Sequence, residues 1–317
     1  MKTEHNKSRR DFLKTAAFST AAIVAGKTVS LGAEEKKEDD KNKMPIGVQL
    51  YSISGLGGGG RSSGGRSRGG RGGASSTIEV PQAFAEIKKM GYDGVEFAGF
   101  YSYDNRAEEL KKLLDDNGLK ACGFHLQGLT PDTMLGDMFQ PTVDYNKTIG
   151  NKYLIFPMLN GRGEDYWKKT VEQFNQIAEK LKPIDMFVGY HNHFQEFQQK
   201  IGDVTVFDMF FGNTSKDVIM QLDIGHCLHG GGDPAEVIKK YPERAVTVHV
   251  KDYGAAAADD VVGRGNVKWK EVLQACKDVG GTKWYIIEEE SRQYPGLEGI
   301  EKSLQGLNKI LDEMKTA

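Results

Sequence analysis

A closed barrel of eight parallel strands and eight helical returns, (β/α)₈, in a single domain, is the fold this sequence predicts. Three observations carry that expectation. First, eight short apolar runs alternate with segments of helical period over residues 44–317. Second, runs such as Tyr153–Met158 (YLIFPM) and Trp284–Ile287 (WYII) are continuously apolar, as a parallel sheet covered on both faces requires. Third, the histidines beyond the N-terminal leader, His125, His191, His193, His226, His229 and His249, all fall at or just past the C-terminal end of such a run. A barrel gathers those ends into one mouth, where the chemistry of this fold resides. An open doubly wound sheet is the alternative, but no G-x-G-x-x-G opens a helix after the first strand.

The N-terminus reads as a processing signal outside the fold. Ser8-Arg9-Arg10-Asp11-Phe12-Leu13-Lys14 precedes a mildly apolar stretch, Thr15–Gly26, and small residues up to Ala33. This resembles a twin-arginine (Tat) signal over 1–33, with a charged linker over 34–43. Export by the Tat route to the periplasm or another extracytoplasmic space is the expected localisation. No cysteine lies near the cleavage region, so no lipid anchor is expected on the mature chain.

Met44–Ser52 is the first expected strand. Residues 55–76 (GLGGGGRSSGGRSRGGRGGASS) have almost nothing apolar to bury and are read as a flexible loop insert. Arginine–glycine repeats also contact nucleic acid, but this tract has no aromatic residue and lies inside the domain. Val80–Met90 has helical spacing and Gly94–Phe97 reads as a strand. Ala107–Asn117 is a helix that Gly118 closes. Leu119–His125 is a strand, followed by a helical segment and the strand Tyr153–Met158. Thr170–Leu181 is a periodic helix leading to Phe187–Phe197 (FVGYHNHFQEF), a run that turns abruptly polar. Phe207–Phe211 is a short helix before the strand-like Val218–His226 (VIMQLDIGH). Ala235–Tyr241 is a helix before Ala245–Asp252 (AVTVHVKD). Trp269–Val279 is a helix stopped by two glycines, then come Lys283–Glu290 (KWYIIEEE) and a last amphipathic helix, Leu297–Met314.

Composition narrows the function. A chain of 317 residues with 38% apolar content can bury a sizeable core, and its net charge of −2 gives no reason to expect a nucleic-acid partner. Cys122, Cys227 and Cys276 are too scattered for a disulfide framework or a zinc knuckle, and read as packed thiols. What stands out is the last four strand-like runs, each delivering His, Asp or Glu at its end. Asp223, His249 and Glu288, with a residue from the His191 strand, make an oxygen/nitrogen set suited to one divalent cation. Mn²⁺, Zn²⁺, Co²⁺ or Fe²⁺ fit that set, with Mg²⁺ admissible. Singly, Asp223 reads as a helix cap, His249 as a core histidine, and Glu289 and Glu290 as a solvated run. It is their joint placement on consecutive strands that argues for a metal.

The segments YHNHFQEF (190–197), LDIGH (222–226) with GGGDP (230–234), HVKD (249–252) and IIE (286–288) resemble the xylose isomerase-like TIM-barrel family, also called the sugar phosphate isomerase/epimerase family. GVQLYS (47–52), GVEF (94–97) and GFH (123–125) extend the likeness over roughly 45–314. The resemblance implies a single divalent metal held by His191, Asp223, His249 and Glu288. It also implies a carbohydrate substrate that is isomerised, epimerised or dehydrated; association of identical copies is left open. The family pattern on the fifth strand is E-N-H, whereas this chain reads His191-Asn192-His193. Family epimerases use two ligating glutamates to remove and return one proton, so the imidazole breaks that symmetry. Glu288, His191, Glu196 and Lys251 are the expected catalytic groups, Lys251 for an enediolate oxygen, and the fifth-strand ligand or base is left among His191, His193 and Glu196. His125, His193, His226 and, more weakly, Glu96 are expected to touch substrate.

The expected function is a metal-dependent isomerase or epimerase acting on a non-phosphorylated sugar or keto-sugar through an enediolate. A lyase that performs β-elimination on a 3-keto-sugar, ketoglycoside or inositol is the alternative. A non-catalytic sugar-binding barrel is the second alternative.

Overall fold

The computed structural model describes residues 43–53, 55–57, 78–256, 260–291 and 293–316; the expected signal (1–33), the linker up to 42 and the tract over 58–76 lie outside them. Eight strands run in one direction: β1 (Ile46–Gln49), β2 (Gly94–Phe97), β3 (Lys120–His125), β4 (Tyr153–Phe156), β5 (Phe187–His191), β6 (Val218–Asp223), β7 (Thr247–Val250) and β8 (Trp284–Ile287). Each pairs with the next in parallel, and β8 returns to β1 through Ile46 opposite Tyr285 and Val48 opposite Ile287. The ring is closed, so the doubly wound alternative is excluded.

The helices are α1 (Val80–Met90), α2 (Ala107–Asp116), α3 (Pro131–Leu135), α4 (Phe139–Thr148), α5 (Glu164–Leu181), α6 (Gln195–Gln198), α7 (Val206–Asn213), α8 (Ile224–His229), α9 (Pro234–Lys240), α10 (Trp269–Ala275) and α11 (Leu297–Lys315). Their buried stripes explain why they form and where they dock. In α5, Trp167, Thr170, Val171, Phe174, Ile177, Ala178 and Leu181 recur at three- and four-residue spacing and are buried. Phe174 meets the rings of Tyr190 on β5 and Phe210 on α7 at 6.4 and 4.9 Å. Truncating such a ring to alanine costs about 3–5 kcal/mol.

Several boundaries differ from expectation, each for a local reason. The run Val218–His226 is not one strand: it ends at Asp223, whose side chain accepts from the His226 amide at 2.6 Å and so caps α8. The first strand stops at Gln49, where the side chain accepts from the Tyr51 amide and turns 50–52 into a 3₁₀ turn. Helix α5 begins at Glu164, six residues before the apolar period is evident, with Glu164 and Asp165 in its first turn. The segment after β3 is two helices, and α10 gives way to a π-helical turn, Cys276–Gly280. A small hairpin, Lys200–Ile201 against Val204–Thr205, was not anticipated. All three cysteines are free and buried, as expected.

Inside the ring the side chains change character with height. Cys122, Trp284 and Ile286, joined by Tyr153, form an apolar plug. Side chains two positions further along each strand share the same face. Gln221 and then Asp223 on β6, Thr247 and then His249 on β7, and Ile286 and then Glu288 on β8 make the interior progressively polar toward the mouth. All of these residues are buried.

Candidate metal centre

Four side chains from four adjacent strands meet at the mouth. His191, Asp223, His249 and Glu288 each offer a donor atom, and these atoms lie within 4.8 Å of one another, all buried. Neighbouring registers bring them together, Asp223 lying beside His249 across β6 and β7. Asn192 locks this end of the sheet: its Oδ1 accepts from the Asp223 amide at 3.0 Å, and its Nδ2 donates to the Asp223 carbonyl at 3.4 Å.

Two atoms test whether a cation fits. His191 Nδ1 and Asp223 Oδ2 are buried side-chain atoms without a hydrogen-bond partner. Leaving such groups bare costs about 1–3 kcal/mol each, so both point to a missing ligand. A second grouping, His125, His191 and His249, is also within reach of one ion. There, however, His125 Nε2 is engaged by Gln221 Oε1 at 2.8 Å and His249 Nε2 by Glu96 Oε2 at 2.5 Å. The set with unused atoms is the better holder of a divalent cation. It offers nitrogen and oxygen only, which suits borderline to hard metals.

Electrostatics follow from burial and close charges. Burial, then the neighbouring His249, hold His191 well below the ordinary imidazole range, so it is a neutral donor. His249 is the opposite case: burial opposes its charge, but Glu96 and Glu288 raise its pKa to about 10. Burial and the Glu288 charge raise Asp223 to about 7 against the pull of Lys251 and His249. Burial would raise Glu288, but His249 and Lys251 hold it well below the carboxylate range. Without metal, then, an imidazolium bridges Glu288 at Nδ1 and Glu96 at Nε2. The Nε2–H···Glu96 bond orients the ring, and would do so for a metal ligand as well.

That places Glu96 differently from expectation. It is fully buried and takes hydrogen bonds from Gln49 Nε2 at 2.8 Å and Gln221 Nε2 at 2.7 Å besides His249, with His125 Nε2 at 3.3 Å. It supports the centre from below and has no face toward a substrate. Gly123 makes room for it, since a Cβ there would stand 2.0 Å from Glu96 Oε1. Glu196 is also corrected. Its Oε1 accepts from the Tyr190 hydroxyl at 2.8 Å and its Oε2 from the His193 amide at 2.7 Å, on the outward side of β5. Both oxygens are committed to holding the turn after the strand.

His193 and His226 stand over the centre, ring to ring at 5.0 Å, and His193 is 5.0 Å from His191. His125 borders it, 5.3 Å from His191 and 5.6 Å from His249. Lys251 is buried, pairs with Glu290 and lies 3.4 Å from His226 Nε2. Burial opposes its charge, yet Asp223, Glu288 and Glu290 raise its pKa above the usual lysine range. Burial and this ammonium push His226 down to about 2, so it is neutral. Gly225 allows the approach of β7: a Cβ there would meet Lys251 Cγ at 2.9 Å and the Asp252 carbonyl at 2.7 Å. Glu289 is not solvated; it is 3% exposed and accepts from Ser303 Oγ and the Ser291 amide.

Gln49, Gln221 and Asn192 were missed from sequence. The signal was present for two of them: each glutamine is a lone polar residue in an apolar strand, at the same parity as the site residues. Asn192 stood between two histidines that drew the attention.

Known proteins share this barrel. The model of the xylose isomerase-like TIM barrel family matches residues 84–310. A ubiquitinol-cytochrome C reductase Fe-S subunit TAT signal model matches residues 1–29, so a Tat signal stands at the N-terminus. An inosose dehydratase of Clostridium perfringens is 26% identical over 256 residues, spanning 69% of this chain and 84% of that one. One from Lacticaseibacillus casei is 24% identical over 67% of this chain and 83% of that one. A sugar phosphate isomerase/epimerase structure from Parabacteroides distasonis superposes with TM-score 0.64 at 25% identity, covering 84% of this chain and 98% of the other. By sequence over most of its length and by the closed barrel, the chain belongs to the xylose isomerase-like TIM barrel family.

Proposed function

We propose that this protein is a divalent-metal-dependent lyase that dehydrates a non-phosphorylated keto-sugar or keto-inositol. The observation that carries this reading is the one-sidedness of the centre. Glu288 supplies a carboxylate on the β8 side, whereas the β5 side offers imidazoles, with Glu196 turned away. The matched relatives that are named inosose dehydratases support the same choice over the isomerase expected from sequence.

A bound divalent cation would polarise a carbonyl and acidify the adjacent C–H. His191, Asp223, His249 and Glu288 would hold it. A Glu288 carboxylate oxygen takes the proton from the carbon next to the carbonyl. Lys251 Nζ, held by Glu290 and His226, faces the negative charge that develops on oxygen. His193, on the opposite wall and kept neutral by burial, faces the departing hydroxyl, which leaves as water with the proton that Glu288 took. Lys251 is already paired, which argues against its serving as the counter-ion of a phosphate. The N-terminal signal supports export of the folded chain to the periplasm or its equivalent.

Isomerisation or epimerisation through the same enediolate is the second reading, supported by the Parabacteroides distasonis relative and by His193 as an opposing base. Incubation of the metal-loaded protein with a keto-inositol and a 3-keto-sugar in D₂O separates the two. Loss of one water supports the lyase; deuterium uptake without that loss supports the isomerase and overturns it. Binding with neither outcome leaves a sugar-binding barrel.

A further inference from the structure

The mouth above β1–β4 is built unlike the rest. Among the described residues, four of the six exposed large apolar side chains follow these strands: Tyr51 (40% exposed), Phe100 (43%), Met138 (38%) and Met158 (54%). Phe100 and Met138 flank a cavity of about 220 Å³ whose wall also includes Phe124, Leu129, Tyr145 and His125. Its aromatic side is a cluster, with Phe100 at 5.2 Å from Phe124 and 5.0 Å from Tyr145, edge to face. The Tyr145 hydroxyl is spent on the Tyr103 carbonyl at 3.0 Å, so the ring contributes an apolar surface here. His125 belongs to both places, lining the cavity and standing beside His191 and His249.

We propose that this cavity is a subsite for a ring-sized apolar group carried by the substrate, so that the sugar processed at the donor set bears an aromatic substituent. The inference rests on the reading of the centre as a sugar site. The size fits: an apolar cavity of about 150 Å³ accepts benzene. Exposed apolar rings around a concave wall are a mark of ligand grooves. The chain itself supplies no filler nearby in sequence, because residues 58–77 contain no apolar side chain larger than Ala74.

The test compares phenyl β-D-glucoside, methyl β-D-glucoside and free phenol, each titrated calorimetrically into the metal-loaded and the metal-free protein. The phenyl glycoside is expected to bind about tenfold or more tightly than the methyl glycoside, with phenol competing against the phenyl compound only. Phe100→Ala and Met138→Gln should each reduce that ratio severalfold and leave methyl glucoside affinity unchanged. Both side chains are more than a third exposed, and Met138→Gln keeps the test alive should Phe100→Ala loosen the cluster. Equal affinities for the two glycosides, or no binding of phenol and phenyl glycoside alike, overturn the subsite. So does a stable dimer that both variants dissociate, which would assign the face to a second copy. A lost phenyl preference with metal-dependent turnover intact sinks only this inference. A retained preference in a protein that takes up no metal sinks the proposed function instead.

Discussion

The two halves of the barrel mouth solve different problems. Above β5–β8 the inward positions near the rim are ionisable and buried: His191, Asp223, His249, Lys251 and Glu288. Above β1–β4 the rim is apolar and partly exposed, with Phe100 and Met158 open to solvent. The first half has donor atoms in excess of its partners, shown by the two bare atoms His191 Nδ1 and Asp223 Oδ2. The second has surface in excess of its packing. On the readings proposed above, the first surplus suits a cation and the second an apolar group.

The largest effect that can break this contrast is removal of a donor. His249→Ala should lower bound metal from about one per chain to background and reduce turnover by about 10²–10⁴-fold, checked by elemental analysis and a lyase assay. Full metal content in that variant would remove His249 from the centre. Next comes the support beneath: Glu96→Gln should weaken metal affinity by about 10–100-fold with the fold intact, as read by competition with a chelator and by thermal melting.

Acidity sharpens the contrast further. His249, held at about 10 by Glu96 and Glu288, carries at neutral pH a proton that metal binding would have to displace. Asp223, near about 7, is partly protonated there as well. Both protons compete with metal, so affinity should rise with pH across about pH 6–8, with about one to two protons released per ion. Calorimetry in buffers of different ionisation enthalpy reads that number, and a pH-independent affinity would contradict it. The smallest effect on catalysis belongs to Glu196→Gln. It forces one of two donors, Tyr190 or the His193 amide, to face an NH₂ group, and should cost about 1–3 kcal/mol of stability while turnover changes less than about threefold.

Sequence made the two halves unequally legible. Histidine and carboxylates are rare in buried strands, so their recurrence at the ends of four runs exposed the donor set before any coordinates. Phe100, Met138 and Met158 lie in connections, where an apolar residue is unremarkable and only exposure gives it meaning. Spacing along the chain places Glu196 near His193, whose amide it accepts; only the turn after the strand shows that its other oxygen goes to Tyr190. Glu96 misled, its parity being right but its height one layer too low. Closure of the ring was legible from eight alternating units, whereas the stop of β6 at Asp223 depended on a cap that competes with strand propagation.

Asp252, last residue of the HVKD segment, holds a different lesson. Its Oδ1 receives the Tyr253 and Val267 amides, and its Oδ2 the Gly263 amide and the Trp269 indole N–H at 2.7 Å. One carboxylate therefore holds Tyr253, Gly263, Val267 and Trp269 at once, directly behind Lys251. Those four contacts make a fixed abutment, and the backbone that carries the ammonium is braced from behind by it.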